Sequence, residues 1–330
     1  MKVGILGAGN WGTTFALLIH RHGHVVTLWE YDAEQAQRVE RIRENTKFLP
    51  GYSVPDDIPI TSNVADAIQA EIVVLAVPAQ SCREVLRKIG QLPETAIVLS
   101  LIKGIEQNTL SRVSEICAQE LRDFDAARLA VLSGPTIAPE VAAGLPTSAV
   151  VASSSRETAM QIQNGFSTPE FRLYSSDDVA GVELAGALKN VIALAAGMCD
   201  GMSLGNNLKG ALVTRGLAEL IRLGKSLGGR IETFRGLSGL GDLVTTCSAP
   251  QSRNRSVGER LGRGETLQEV LDGMIMVAEG VWTARAARDL AMRNRVSVPI
   301  TDAVCEVLFE GKQPQAALSD LMLRALKAED

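Results

Sequence analysis

The stretch "VGILGAGNWG", residues 3–12, narrows the folds open to this chain more than any other. It sets Gly7, Gly9 and Gly12 in G-x-G-x-x-G order, directly after a β-branched run and directly before the helical spacing of "TTFALLIHRHG". Each glycine has a mechanical reason. The first permits a tight turn, the second lets a pyrophosphate approach the backbone, and the third lets helix and strand pack closely, while the free N–H groups at the helix start face the anion. Glu30 closes the next β-branched run. There an acid accepts hydrogen bonds from an adenosine ribose and repels a 2′-phosphate, which favours NAD; a solvated glutamate at a strand end is the alternative.

Short apolar runs recur at 3–6, 25–29, 72–77, 97–101 and 129–132, each followed by a turn and a stretch with helical period. They are continuous rather than alternating, as in a parallel sheet covered on both faces. "TSAVVAS" (147–153) and "FRLYSS" (171–176) read as further strands of the same sheet. From residue 178 the period is helical throughout, with glycine-rich breaks at 236–242 and 262–266. The expected fold class is therefore α/β: a Rossmann-like doubly wound parallel sheet domain over residues 1–177, followed by an all-α domain over 178–330, with a cleft between them. A chain of 330 residues is longer than one hydrophobic core usually grows, which agrees with two domains.

Formal net charge is −5, so the chain offers no electrostatic reason to expect nucleic acid or an anionic membrane as partner, and any anionic ligand must be met locally. Five scattered cysteines without C-x-x-C spacing argue against disulfides and structural zinc, and point to a reducing cytoplasm. No unbroken apolar run approaches the length of a membrane span, and "MKVGILGAG" turns to glycine too early for a secretory leader, so the chain is expected to open on a folded strand. "HRHGH" (20–24) holds all three histidines but falls in a helix-to-strand turn. With no other dense cluster of His, Cys and acids, no metal is expected.

In the second half, "GALKNVIALAAGMCDG" (186–201) is apolar or small almost everywhere, yet contains Lys189. An ammonium in a helix packed on all sides either snorkels, pairs with an acid or has its pKa displaced for chemistry. "GLSGLGDLVTTCSAPQSRNRS" (236–256) follows, with Asp242 after a flexible loop and Ser252, Arg253 and Asn254 beyond it. An arginine fork beside Ser and Asn suits a phosphate. A helix cap for Asp242 and a solvated surface position for Arg253 are the plainer alternatives.

These stretches, with "NTKFLPG" (45–51), "AVPAQ" (76–80), "IKGIE" (102–106), "SGPTIAPEV" (133–141) and "VAEGVWTARAA" (277–287), resemble the bacterial-type NAD(P)-dependent glycerol-3-phosphate dehydrogenases. The resemblance runs from "GAGNWGT" to "LMLRALKAED". It implies reversible reduction of dihydroxyacetone phosphate by NAD(P)H to sn-glycerol 3-phosphate, feeding glycerophospholipid synthesis, in a homodimer joined through the helical domain. It implies that Lys189 gives and takes the proton, that Asp242 orients it, and that Lys103, just after a strand, contacts substrate and cofactor. Gly134 and Thr136 would hydrogen-bond substrate, with Ala138 beside the nicotinamide. Ser252, Arg253 and Asn254 would cradle phosphate and hydroxyls, Arg253 also reaching the cofactor. Asn10, Trp11 and Glu279 would complete the dinucleotide site, although Glu279 also reads as a helix-surface acid.

Many members carry a base after the second strand, suited to a 2′-phosphate. This chain has "WEYD" there, which puts a preference for NADPH in doubt. "GTTFA" after the glycine loop reads as repacking. Competing readings are a two-domain dehydrogenase acting on a β-hydroxyacid, which would not need the 252–254 loop in this form, and a non-catalytic dinucleotide-binding regulator.

Overall fold

The computed structural model describes residues 1–326 and 328; residues 327, 329 and 330, which end the expected second domain and the "LMLRALKAED" stretch, lie outside the described residues. Eight strands form one sheet: β1 (Lys2–Leu6), β2 (Val25–Trp29), β3 (Ile60–Thr61), β4 (Ile72–Leu75), β5 (Ile97–Ser100), β6 (Leu129–Ser133), β7 (Thr147–Ala152) and β8 (Phe171–Ser176). Their spatial order is β3-β2-β1-β4-β5-β6-β7-β8. The first six are parallel, and the order reverses between β1 and β4, where open α/β sheets bind ligands beyond their carboxyl ends.

Helices α1 (Asn10–Arg21), α2 (Ala33–Ile42), α3 (Val64–Ile68), α4 (Ala79–Ile89), α5 (Val113–Glu120), α6 (Ala138–Ala142) and α7 (Arg156–Phe166) connect the strands. Each turns an apolar stripe to the sheet. In α4 the buried positions are Ala79, Cys82, Val85, Leu86 and Ile89, a 3.6-residue period. One face of the sheet is filled around Phe15 and Phe166, the other around Leu86 and Ile116, so every central strand is buried on both sides.

The strands read at 147–153 and 171–176 do extend the sheet, but in reverse. β7 pairs antiparallel with β6, and β8 runs parallel to β7. Between β6 and β7 the chain runs through the five-residue α6, and between β7 and β8 through the 11 residues of α7. The two-residue β3, at the sheet edge, is too short to show in the sequence.

Beyond the sheet follow α8 (Val179–Gly201), α9 (Gly205–Ser226), α10 (Ile231–Arg235), a π-turn (Leu237–Gly241), α11 (Asp242–Ser248), α12 (Arg253–Gly262), α13 (Leu267–Asp272), α14 (Glu279–Asn294), α15 (Pro299–Phe309) and α16 (Pro314–Met322). Helix α8 is long and apolar enough to cross a membrane by length and composition, yet every residue from Gly181 to Cys199 is buried among its neighbours. It crosses α12 backbone against backbone. A Cβ at Gly197 would stand 2.0 Å from the Arg255 carbonyl oxygen, and one at Gly258 would stand 1.9 Å from that of Leu194.

Within the helical half, Asp178 caps α8 through Gly181 N (2.9 Å) and accepts from Arg230 N (2.9 Å) and Thr233 Oγ1 (2.6 Å). The two halves are stitched by an acid and by apolar plugs. Glu183 on α8 accepts from Ser114 N (2.8 Å) at the start of α5 and from Arg112 Nη1 (3.1 Å). Ile105 and Leu110, from the segment after β5, are buried in the core of the helical half.

Candidate active site

A cleft of about 820 Å³ opens where the carboxyl ends of β1, β2, β4 and β5 meet the helical half. Of the residues singled out in the sequence, Gly7, Gly9, Asn10, Trp11, Glu30, Lys103, Thr136, Ala138, Lys189, Asp242, Ser252, Arg253, Asn254 and Glu279 line it. Gly12 and Gly134 do not, and none of the three histidines does.

Gly12 acts from below. A Cβ there would lie 1.9 Å from the Gly7 carbonyl oxygen, so only glycine lets α1 sit on the turn, and Gly7 itself holds φ +117°. Gly9 is the N-cap of α1, makes no side-chain cap, and the first turn contains no acid. The opening N–H groups of the helix therefore face the cleft with nothing from the protein to satisfy them. A Cβ at Gly9 would meet nothing within 4 Å. The indole Nε1 of Trp11 and Oε2 of Glu279 are buried without partners. This surface fits a dinucleotide: anion-ready amides, an open approach over Gly9 and two orphaned polar atoms. At the far end the Glu30 carboxylate accepts from Asp32 N (3.1 Å), and its partial burial raises its pKa.

The helical side supplies charge. Asp242, the first residue of α11, is 2% exposed and bridges two ammonium groups: Oδ1 accepts from Lys189 Nζ at 2.6 Å and Oδ2 from Lys103 Nζ at 2.8 Å. Burial alone would raise the Asp242 carboxyl, but the two lysines outweigh it and hold its pKa below the usual range. For Lys189 burial wins. It pushes the amine down to about 8 against the pull of Asp242, with repulsion from Lys103 adding to the fall. Lys103 is further fixed by the Gly134 carbonyl (2.8 Å) and Thr136 Oγ1 (3.1 Å). Gly134 thus serves the lysine from outside the cleft lining. An amine near 8, held by an ionised carboxylate at the base of a cleft, can deliver or accept a proton near neutral pH.

Arg253 opens α12, exposed to the cleft, with Nη1 donating to the Val277 carbonyl (2.9 Å). Its guanidinium and the unsatisfied first amides of α12 together make an anion-binding corner. The neighbours on either side are already engaged. Ser252 Oγ caps α12 by accepting from Arg255 N (3.3 Å), and Asn254 accepts from Gly280 N (2.9 Å) while donating to Asn190 Oδ1 (2.9 Å). Glu279 is no helix-surface acid. Its Oε1 accepts from Ala79 N (2.8 Å) at the start of α4, and burial raises its carboxyl.

Two residues that the sequence reading passed over join this centre. Thr246 Oγ1 accepts from Lys189 Nζ at 2.6 Å and lies 3.1 Å from Asp242 Oδ1. It stands one helical turn after Asp242, and that i, i+4 spacing was the available signal. Asn190, next to Lys189, donates to the Lys103 carbonyl (3.1 Å), tying both lysines to the Asn254 amide.

Comparison with known proteins gives a consistent result. Family models for the N-terminus and the C-terminus of NAD-dependent glycerol-3-phosphate dehydrogenase match residues 2–159 and 178–319. A glycerol-3-phosphate dehydrogenase (NAD(P)+) of Syntrophotalea carbinolica is 47% identical over 331 residues, covering 100% of this chain and 99% of that protein. One of Geobacter sulfurreducens is 47% identical over 330 residues, covering 99% and 98%. Among solved structures, the glycerol-3-phosphate dehydrogenase of Coxiella burnetii superposes with a TM-score of 0.94 at 35% identity, over 98% of this chain and 99% of that one.

Proposed function

Because the chain belongs to the NAD-dependent glycerol-3-phosphate dehydrogenase family, we propose that its cleft reduces dihydroxyacetone phosphate to sn-glycerol 3-phosphate with NADH or NADPH, supplying glycerophospholipid synthesis. The observation that carries the reading is the Asp242 carboxylate shared by Lys189 and Lys103. The reduced nicotinamide, when bound, supplies the hydride that the carbonyl carbon receives. Lys189 donates its proton to the carbonyl oxygen as that oxygen becomes an alkoxide, and takes it back in the reverse direction. Asp242 and Thr246 aim the amine. Lys103 stabilises charge on the substrate oxygens from the sheet side. Arg253 and the start of α12 take the phosphate, with Ser252 and Asn254 bordering it; Thr136 and Ala138 form the opposite wall.

The reading divides the chain at residue 177 into a dinucleotide-binding half and a substrate-binding half, which the separate matches at 2–159 and 178–319 support. It includes a homodimer joined through the helical half, to be checked by light scattering. It also includes a cytoplasmic location, supported by the five free, buried cysteines.

The test is absorbance at 340 nm with NADH and dihydroxyacetone phosphate, wild type against Arg253→Ala. The expected result is turnover in the wild type and a Michaelis constant for dihydroxyacetone phosphate raised about 30-fold or more in the variant, the worth of ~2 kcal/mol for a lost charge-assisted contact. An unchanged constant removes Arg253 from the phosphate site.

A further inference from the structure

Helix α4 presents two faces to two different tasks. Ser81, Glu84, Val85 and Lys88 line the cleft. Gln80 and Arg83, one turn apart on another side, do not, and they grip the segment that follows Lys103 instead. Gln80 Nε2 donates to the Ile105 carbonyl (2.8 Å), and its Oε1 accepts from Gln107 N (3.0 Å). Arg83 donates from Nε to Glu106 Oε1 (2.9 Å) and from Nη2 to Glu106 Oε2 (2.7 Å), a bidentate fork on a carboxylate that is only 8% exposed. Three consecutive residues, 105, 106 and 107, are thus held from one helix.

The other end of the same segment is pinned from the helical half. Ile105 and Leu110 are buried in its core, and Leu110 keeps φ +62°, a left-handed conformation that a branched side chain adopts only where its surroundings impose it. Lys103 itself hangs at the start of this doubly anchored loop, its carbonyl tied to Asn190 and its ammonium 2.8 Å from Asp242.

We propose that Gln80 and Arg83 are positioning residues that set where Lys103 stands relative to Asp242, acting through residues 104–109 from outside the cleft. The proposal rests on the lysine-pair reading above and makes it specific. Without the two tethers the loop relaxes away from α4, and Lys103 leaves its place on Asp242 for part of the time. The charged and titratable groups acting on the Lys189 amine are Asp242, Lys103 and the Cys247 thiol, the last pushed up to about 12 by burial and so uncharged. When Lys103 withdraws, Lys189 loses a repelling neighbour and gains sole use of Asp242. Both changes favour the ammonium and move its pKa upward from about 8.

The experiment is the pH dependence of kcat for reduction, which needs protonated Lys189 and so falls as pH rises through the amine's pKa. It compares wild type, Lys103→Met, the double variant Gln80→Leu with Arg83→Met, and Arg87→Met, with thermal melting of each. Arg87 pairs with Glu120, as Arg83 also does, but does not touch Glu106, so it reports the cost of disturbing the ion cluster alone. The wild-type alkaline limb is expected near pH 8. Lys103→Met moves it up, and the double variant moves it the same way by a smaller amount, with kcat lowered roughly 10-fold, within the range for slight misplacement of a reacting group. Arg87→Met leaves the limb in place. Should the double variant not fold, Gln80→Leu alone, which removes the donor to Ile105 and the acceptor for Gln107 N without adding charge, carries the same expectation in milder form. A double variant that melts lower but keeps the wild-type limb overturns the proposal while the lysine pair stands. A Lys103→Met limb that stays at the wild-type position overturns both.

Discussion

The two ends of the cleft are built by opposite means. At the sheet end the working surface is bare backbone: the first amides of α1, uncapped, over a Gly9 whose missing side chain leaves open space, on a turn that Gly12 makes possible by packing at 1.9 Å from the Gly7 oxygen. At the helical end it is charge in a dry setting. One carboxylate holds two ammonium groups, and all the tuning comes from burial and from neighbours contributed by different elements. The first kind of site tolerates no added atoms. The second tolerates no lost ones.

That contrast can be attacked from both sides. The largest effect is expected from Lys189→Ala, which deletes the proton donor and should lower turnover about 10²–10⁴-fold in steady-state kinetics while leaving NADH binding, followed by fluorescence, unchanged. Turnover near that of wild type would place the chemistry elsewhere. Next come the glycines, taken as a pair. Gly12→Ala forces its Cβ into the Gly7 carbonyl and should cost about 1–3 kcal/mol of stability by thermal melting, with NADH binding lost alongside. Gly9→Ala meets no protein atom, so its melting should stay within about 0.5 kcal/mol of wild type while NADH binding weakens. Equal melting of the two variants would mean that the turn, rather than the pyrophosphate approach, explains both positions. The smallest effect belongs to Glu30→Gln. The wild type should prefer NADH, and removing the charge should shift the NADPH-to-NADH ratio of kcat/KM about tenfold toward NADPH, ~1.4 kcal/mol. An unmoved ratio leaves Glu30 as a strand-end acid with no part in selectivity.

The same contrast governs what could be read from the chain in advance. Glycine spacing and continuous apolar runs are local signals, so the dinucleotide loop, most strands and the core helix carrying Lys189 were legible. The direction of β7 was not, because the apolar pattern of a strand does not say which way it runs against its neighbour. Lys189, Lys103 and Asp242 were each nameable through the family resemblance. Their convergence on one carboxylate is a tertiary fact, since α8, the end of β5 and α11 lie far apart in sequence. The hydrogen bonds that occupy Ser252 and Asn254 were equally invisible, because their partners come from the helix itself and from Asn190 and Gly280.

The all-round burial of α8 also bears on how the chain is made. As synthesis proceeds from the N-terminus at about 5–20 residues per second, this apolar helix leaves the ribosome before α9, α11, α12 and α14, the segments that will cover it. For that interval it is a sticky surface with the hydropathy of a membrane anchor. Its successful burial depends on the arrival of partners encoded downstream, which makes nascent α8 a natural client for chaperones that shield greasy segments.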